Sequence, residues 1–229
     1  MGDNSLHEAC MNGDYARAVA LLSDNPGLVR SKDADSRYPL HWAVSYQHVK
    51  IVELLLSYML QVDLDTLVDD ALWSPVHVAA AVGNRELFGK LLAHAVQPSL
   101  DAATSQGTTA LHLACSKQHY AVVEDLITHG ASVRKKDKKQ QLPLHRACAI
   151  GSARLVKLLC DARSPVNAKD ANGWPPLFHA LSEGHADIAL LLVNDYGAEW
   201  ENVESAAGET ALQVAVDDNV RDYFVKNIN

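Results

Sequence analysis

At 229 residues the length alone suggests one or two domains. No stretch approaches the ~20 apolar residues of a membrane helix, and the polar opening Met1-Gly2-Asp3-Asn4 predicts neither a signal peptide nor a myristoylation site. The formal net charge of −8 and the acidic ends described below suit a nucleic-acid partner poorly, because they would repel phosphate.

Taken along the chain, one short element recurs. Leu6-His7-Glu8-Ala9 comes first, then Leu40-His41-Trp42-Ala43, Val76-His77-Val78-Ala79, Leu111-His112-Leu113-Ala114 and Leu144-His145-Arg146-Ala147. Two weaker copies follow, Leu177-Phe178-His179-Ala180 and Leu212-Gln213-Val214-Ala215, and the first residues stand 34, 36, 35, 33, 33 and 35 apart. That period, with Pro39, Pro143 and Pro176 before Leu, is the ankyrin signature of a β-turn and two antiparallel helices per unit. The expected fold is all-α: an ankyrin-repeat solenoid of seven helix-turn-helix repeats joined by β-turn loops, a single domain over 1–229. The repeats fall at about 1–34, 35–70, 71–105, 106–138, 139–171, 172–206 and 207–229. Such an array works by offering its concave face to a partner.

Repeat five shows the plan. Asp137 to Gln141 make the turn, and Pro143 opens the first helix, where its missing N–H would be unpaired anyway. Gly151 permits the left-handed residue that ends this helix, and Leu155, Val156, Leu158 and Leu159 give the second helix its apolar face. Repeat one begins at its first helix, and repeat seven ends in a short helix with Arg221, Asp222 and Lys226 facing water. Repeats two and three leave through longer exits, Tyr58 to Ala71 and Ala93 to Gln106.

Cys10, Cys115 and Cys148 each follow the recurring element, in the slot held elsewhere by Val44, Ala80, Leu181 and Val216. A small buried packing position is the reading. Neighbouring slots lie roughly 8–10 Å apart, beyond the ~7 Å reach of a disulfide. Cys160 ends an apolar second helix and is also read as a structural thiol. The five histidines of the element are predicted to hydrogen-bond backbone groups of the adjoining turn. Strung one repeat apart, they cannot share a metal ion with bonds of ~2 Å. No Gly-rich phosphate loop, His-Glu-x-x-His or Gly-x-Ser-x-Gly occurs, so no enzyme activity, metal or cofactor is expected.

Charge is segregated along the chain. Residues 1–114 hold 7 Lys/Arg against 13 Asp/Glu, residues 115–163 hold 10 against 4, and residues 164–229 hold 3 against 11. This alternation suits a folded partner with a charge mosaic of its own. Candidate contact positions are the turns before each first helix and the ends of those helices. They are Asp35, Arg37, Trp42, Ser45 and Tyr46 in repeat two, and Asp69, Asp70 and Trp73 in repeat three. Ser116, Lys117 and His119 follow in repeat four, Lys138, Lys139, Arg146 and Ile150 in repeat five, and Trp174, Phe178, Ser182 and Glu183 in repeat six. Trp42 and Phe178 could equally pack between helices, whereas Trp73 and Trp174 are expected to be exposed at the tips. The run Arg134-Lys135-Lys136-Asp137-Lys138-Lys139 admits three readings: a solvated turn, partner recognition, or a localisation or nucleic-acid patch.

More specific segments resemble the gankyrin family, its fungal members above all. They are Asp35 to Ala43, Trp73 to His77, Gly130 to Asp137 with Pro143 to Ala147, and Gly173 to Leu181. The likeness covers essentially the whole chain. It implies a non-catalytic chaperone for assembly of the base of the 26S proteasome's 19S regulatory particle. Such a protein binds the C-terminal domain of one proteasomal AAA ATPase subunit on its concave face and hinders premature docking on the 20S core. By the same likeness Asp35, Arg37, Asp70 and Lys117 match family contact positions, and the protein is expected to be a monomer on its own, cytoplasmic and nuclear, with no membrane or nucleic-acid partner. The alternatives are an ankyrin scaffold or inhibitor of another signalling pathway, and a nucleic-acid or nuclear-import factor acting through residues 134–139.

Overall fold

The computed structural model describes residues 4–228. Among these residues there are fourteen α-helices, and the only β pairing is two isolated bridges, Ala103–Thr109 and Glu204–Thr210. The chain falls into two compact units, Met1–Leu113 and Ala114–Asn229. The first contains α1 (Ser5–Asn12), α2 (Tyr15–Asp24), α3 (Pro39–Ser45), α4 (Val49–Ser57), α5 (Pro75–Val82) and α6 (Arg85–Leu92). The division falls within α7 (Ala110–Ser116). The second unit holds α8 (Tyr120–Thr128), α9 (Pro143–Ala149), α10 (Ala153–Asp161), α11 (Pro176–Ser182), α12 (Ala186–Tyr196), α13 (Ala211–Val214) and α14 (Asp218–Asn227). None of the described helices is long and apolar enough to cross a membrane.

Odd-numbered helices are the first of each repeat and even-numbered ones the second. In the first unit α1, α3 and α5 pack in succession, as do α2, α4 and α6. In the second, α9 packs on α11 and α11 on α13, while α10 lies against both α8 and α12. The alternate Leu and Ala of the recurring element face these contacts: Leu6, Ala9, Leu40, Ala43, Leu144, Ala147, Leu177 and Ala180 are all fully buried. Each buried leucine contributes roughly 1.5–3 kcal/mol over an exposed one. First helices are only seven or eight residues long, apart from the four of α13, so neighbours rather than propensity keep them helical.

The cysteine slot is fully buried at Cys10, Val44, Ala80, Cys115, Cys148 and Leu181, and all four thiols are free. Burial pushes the Cys10 and Cys160 thiols up to about 12, so they carry no thiolate at neutral pH. Val216 departs from the expectation at 57% exposure. Its helix α13 stops after four residues and Ala215 is extended, with ψ 132°, which turns Val216 out of the slot. The long exits are anchored: Met59, Leu64 and Leu67 are buried, and His94 donates through Nε2 to the Val62 carbonyl at 3.0 Å.

Candidate functional site

Six turns of one geometry precede the first helices of repeats two to seven. Each starts at Asp33, Asp69, Thr104, Asp137, Asp170 or Ser205, whose N–H donates to the carbonyl four residues on at 2.9–3.1 Å. The fourth residue of each turn is left-handed: Ser36, Leu72, Gly107, Gln140, Gly173 and Gly208. The side-chain oxygen of the first residue accepts amide N–H bonds from within the same turn. Asp33 Oδ1 takes those of Asp35 and Arg37 at 2.9 Å, and Asp170 Oδ1 those of Asn172 and Trp174 at 2.8 and 3.0 Å. An acceptor with two lone pairs is what this turn requires, so Asp, Thr or Ser fills the position. Neighbouring turns are joined by backbone bonds, Asp70 N to Asp35 O and Ser105 N to Ala71 O in the first unit, Ala171 N to Lys139 O and Ala206 N to Asn172 O in the second.

Below the turns, the repeat histidines bond backbone groups. His41 Nδ1 accepts the Tyr38 N–H at 3.1 Å, and its Nε2 donates to the Trp73 carbonyl at 2.9 Å. His145 repeats this with Leu142 N–H and the Trp174 carbonyl. A carbonyl can only accept, so the proton resides on Nε2 and both rings are neutral. Burial lowers the pKa of His41 and His77 and brings His145 to about 4. His7, in the first repeat, bonds the Arg37 carbonyl through Nε2 at 3.0 Å, while its buried Nδ1 has no partner.

In the first unit these frames position the sequence-predicted residues unequally. Asp35 and Asp70 are exposed at the tips. Asp69 is not: at 7% exposure it caps its own turn through Oδ1 and takes the Arg37 Nε–H on Oδ2 at 3.3 Å. Its place among contact residues is therefore corrected to that of an inter-repeat tie. Trp42 is half-buried, its indole N–H donating to Asp33 Oδ2 at 2.7 Å and its ring lying 5.1 Å from the Arg37 guanidinium. Tyr46, 50% exposed, stacks on Trp42 at 6.2 Å and on His48 at 6.4 Å. Ser45 beside it is exposed. Arg37, Trp42 and Tyr46 thus form a continuous cation–aromatic strip with Asp35 at its tip end. Trp73 is half-buried, tilted against His77, and does not stand out into solvent as expected.

In the second unit Lys138 and Lys139 occupy the exposed middle of their turn. Lys117 is exposed, and Ser116 and His119 are half-buried, His119 at the N-cap of α8. Arg146 is tied to Asp137 at 2.7 Å, while Ile150 and Glu183 cap the ends of α9 and α11. The Ser182 hydroxyl donates back to the His179 carbonyl. Phe178 is 0% exposed, which corrects its reading as a contact: it fills the slot that histidine holds in other repeats. Trp174 packs edge-on against Phe178 and His179, and its N–H meets Glu209 at 3.3 Å, so it too is half-buried. Asp170 accepts from Gln141 and His179 through Oδ2. Burial pushes its carboxyl up, but those bonds and the turn amides outweigh it and hold the pKa below the usual value.

The basic run divides. Arg134 donates to the Arg163 carbonyl and Lys136 to the Lys169 carbonyl at 2.9 Å, and Asp137 is buried. Arg134 and Lys136 stay exposed while making these bonds, as are Lys135, Lys138 and Lys139. Sequence reasoning missed the turn residues Asp33, Thr104 and Ser205 and the helix-starting His48 and His185. Their signal was present, since a turn residue stands seven positions before each recurring Leu or Val from Leu40 onward. Among the described residues no three His, Cys, Asp or Glu side chains are gathered to hold a metal ion.

Comparison with known proteins agrees with this geometry. The family model for ankyrin repeats (3 copies) matches residues 6–100, 58–137, 122–204 and 144–227. The chain is 46% identical over 229 residues, all of both chains, to the probable 26S proteasome regulatory subunit p28 of Saccharomyces cerevisiae. It is 34% identical to the ankyrin repeat-containing protein C6C3.08 of Schizosaccharomyces pombe, over 97% of this chain and 93% of that one. Among solved structures, the ankyrin repeat domain of Bcl-3 superposes with a TM-score of 0.80 at 26% identity, covering 98% of this chain and 99% of that chain.

Proposed function

Since the chain belongs to the ankyrin-repeat proteins, and among them to the gankyrin family, we propose that it is a non-catalytic assembly chaperone of the 26S proteasome. It binds the C-terminal domain of one AAA ATPase subunit of the 19S regulatory particle through its turn tips and first-helix ends, and so hinders premature docking on the 20S core. The observation that carries this reading is the division of labour within the turns. Backbone geometry is set by the first and fourth residues, which leaves positions between them able to carry exposed charge: Asp35 and Asp70 in the first unit, Lys138 and Lys139 in the second. With the Arg37–Trp42–Tyr46 strip they supply the Arg and aromatic anchors, and the matched charge, that dominate protein interfaces. The whole-length likeness to a proteasome regulatory subunit supports the partner class. The protein works in the cytoplasm and nucleus as a monomer until bound.

The test is a titration of the purified chain against the isolated C-terminal domain of each proteasomal ATPase subunit. Tight, salt-sensitive binding to one domain, weakened by Asp35→Lys, is expected. Binding to none of them would leave an ankyrin scaffold of another pathway. Salt-sensitive binding to polynucleotide, lost when Lys135, Lys138 and Lys139 become Ala, would instead favour the nucleic-acid alternative.

A further inference from the structure

The left-handed fourth position of the turn is filled by Gly in three of the six turns, by the polar residues Ser36 and Gln140 in two, and by Leu72 in one. At φ 59° a leucine crowds its β-carbon against the following carbonyl, a conformation glycine adopts without penalty. In the second unit Gly173 has no alternative, since a β-carbon there would meet the Ala206 amide nitrogen at 2.6 Å. At Leu72 the side chain is accommodated, yet it is not in the core, being 47% exposed.

Exposure of one leucine carries little by itself. Ser36, Gln47, Gln118, Gln140, Arg163 and Asn202 share the left-handed region, but among the described residues Leu72 is the one apolar side chain held there, and an outlier of this kind points to a functional position. The surroundings indicate what would meet it. Exposed Asp70 stands two residues before Leu72, Asp70 N bonds Asp35 O, and Asp35 is exposed in the adjacent turn. The nearby buried carboxylate, Asp69, is already neutralised by Arg37. Free negative charge therefore flanks an apolar tip.

We propose that Leu72 is an apolar specificity contact, receiving an apolar side chain that the partner carries between Lys or Arg residues, which pair with Asp35 and Asp70. This inference rests on the chaperone reading above. An acidic or uncharged partner segment would leave both carboxylates without their counter-charge, so the three residues select one kind of surface.

Leu72→Gly and Leu72→Asn test it, both residues being tolerant of the left-handed conformation. With the ATPase domain that the wild-type chain binds, each variant is expected to lose about tenfold in affinity. The melting temperature should stay unchanged or rise by up to about 4 °C. A stability gain joined to a binding loss is an outcome that a merely structural leucine does not give. Wild-type affinity in both variants overturns the proposal and leaves the chaperone reading standing. A melting temperature lowered by more than about 4 °C also overturns it, since the side chain would then serve packing. If the wild-type chain binds none of the domains, both readings fall together.

Discussion

Residues 1–113 and 114–229 build the same turn and finish it with opposite charge. Asp35 and Asp70 stand at exposed turn positions in the first unit, and Lys138 and Lys139 at the matching positions in the second. The ties beneath differ as well. The first unit joins repeats two and three by the Arg37–Asp69 ion pair. The second joins repeats five and six through Gln141 and Asp170 and adds side-chain staples from Lys136 to the Lys169 carbonyl and from Lys169 to the Glu204 carbonyl. What the difference teaches is where sequence is free. Turn residues that hold backbone groups are restricted to Asp, Ser or Thr, whereas the two between bear no such duty and can be written to suit a partner.

The largest expected effect tests the frame itself. His145→Ala leaves the buried Leu142 N–H and the Trp174 carbonyl unpaired and should cost about 3 kcal/mol in urea unfolding. His7→Ala breaks one such bond and should cost about half as much; equal losses would show that the bond to Nδ1 adds nothing. Next come the tips. Reversing Asp35 and Asp70 to Lys, or Lys138 and Lys139 to Glu, should each weaken partner binding by about 100-fold, near 2.7 kcal/mol, with the melting temperature unmoved. If only one pair matters, the other unit does not take part in recognition.

Acid should act through the frame. The His145 pKa is lowered to about 4 from an unfolded value near 6.5, so the unfolded chain binds more protons in between. Stability from this site is unaffected above pH 6.5 and falls as the pH drops toward 4, by about 2 kcal/mol at pH 5. His41, His77 and His179 are shifted the same way. Denaturation followed at pH 7 and pH 5 reads the sum, and amide exchange over residues 137–174 shows whether the second unit yields first. The smallest effect belongs to the staples: Lys136→Ala or Lys169→Ala should cost about 0.5 kcal/mol, because water replaces an exposed bond almost fully.

The fold was legible because repetition multiplies a weak signal. Leu-His-x-Ala at each period placed every first helix, and the buried cysteine slot followed from its neighbours. It failed at Val216, where the last first helix is a single turn and no further repeat covers it. The candidate site was legible in part. Asp35, Asp70, Lys117, Lys138 and Lys139 are exposed where a turn or helix end puts them, because position alone decides exposure there. Asp69 is buried where a contact was expected, tied to Arg37 of the repeat before, and of the two readings open for Phe178 the packed one holds, since it takes over the histidine slot.

By itself, then, the sequence determined the repeat, its period, the helix starts at Pro, and the segregation of charge along the chain, all of them legible without knowing which residues meet. Only the tertiary structure decided which charges are free and which are ties. A carboxylate's availability is set by donors about 30 residues away, as Arg37 sets that of Asp69 and Gln141 that of Asp170. Such pairs are brought together by the packing of neighbouring repeats, and no local pattern encodes them.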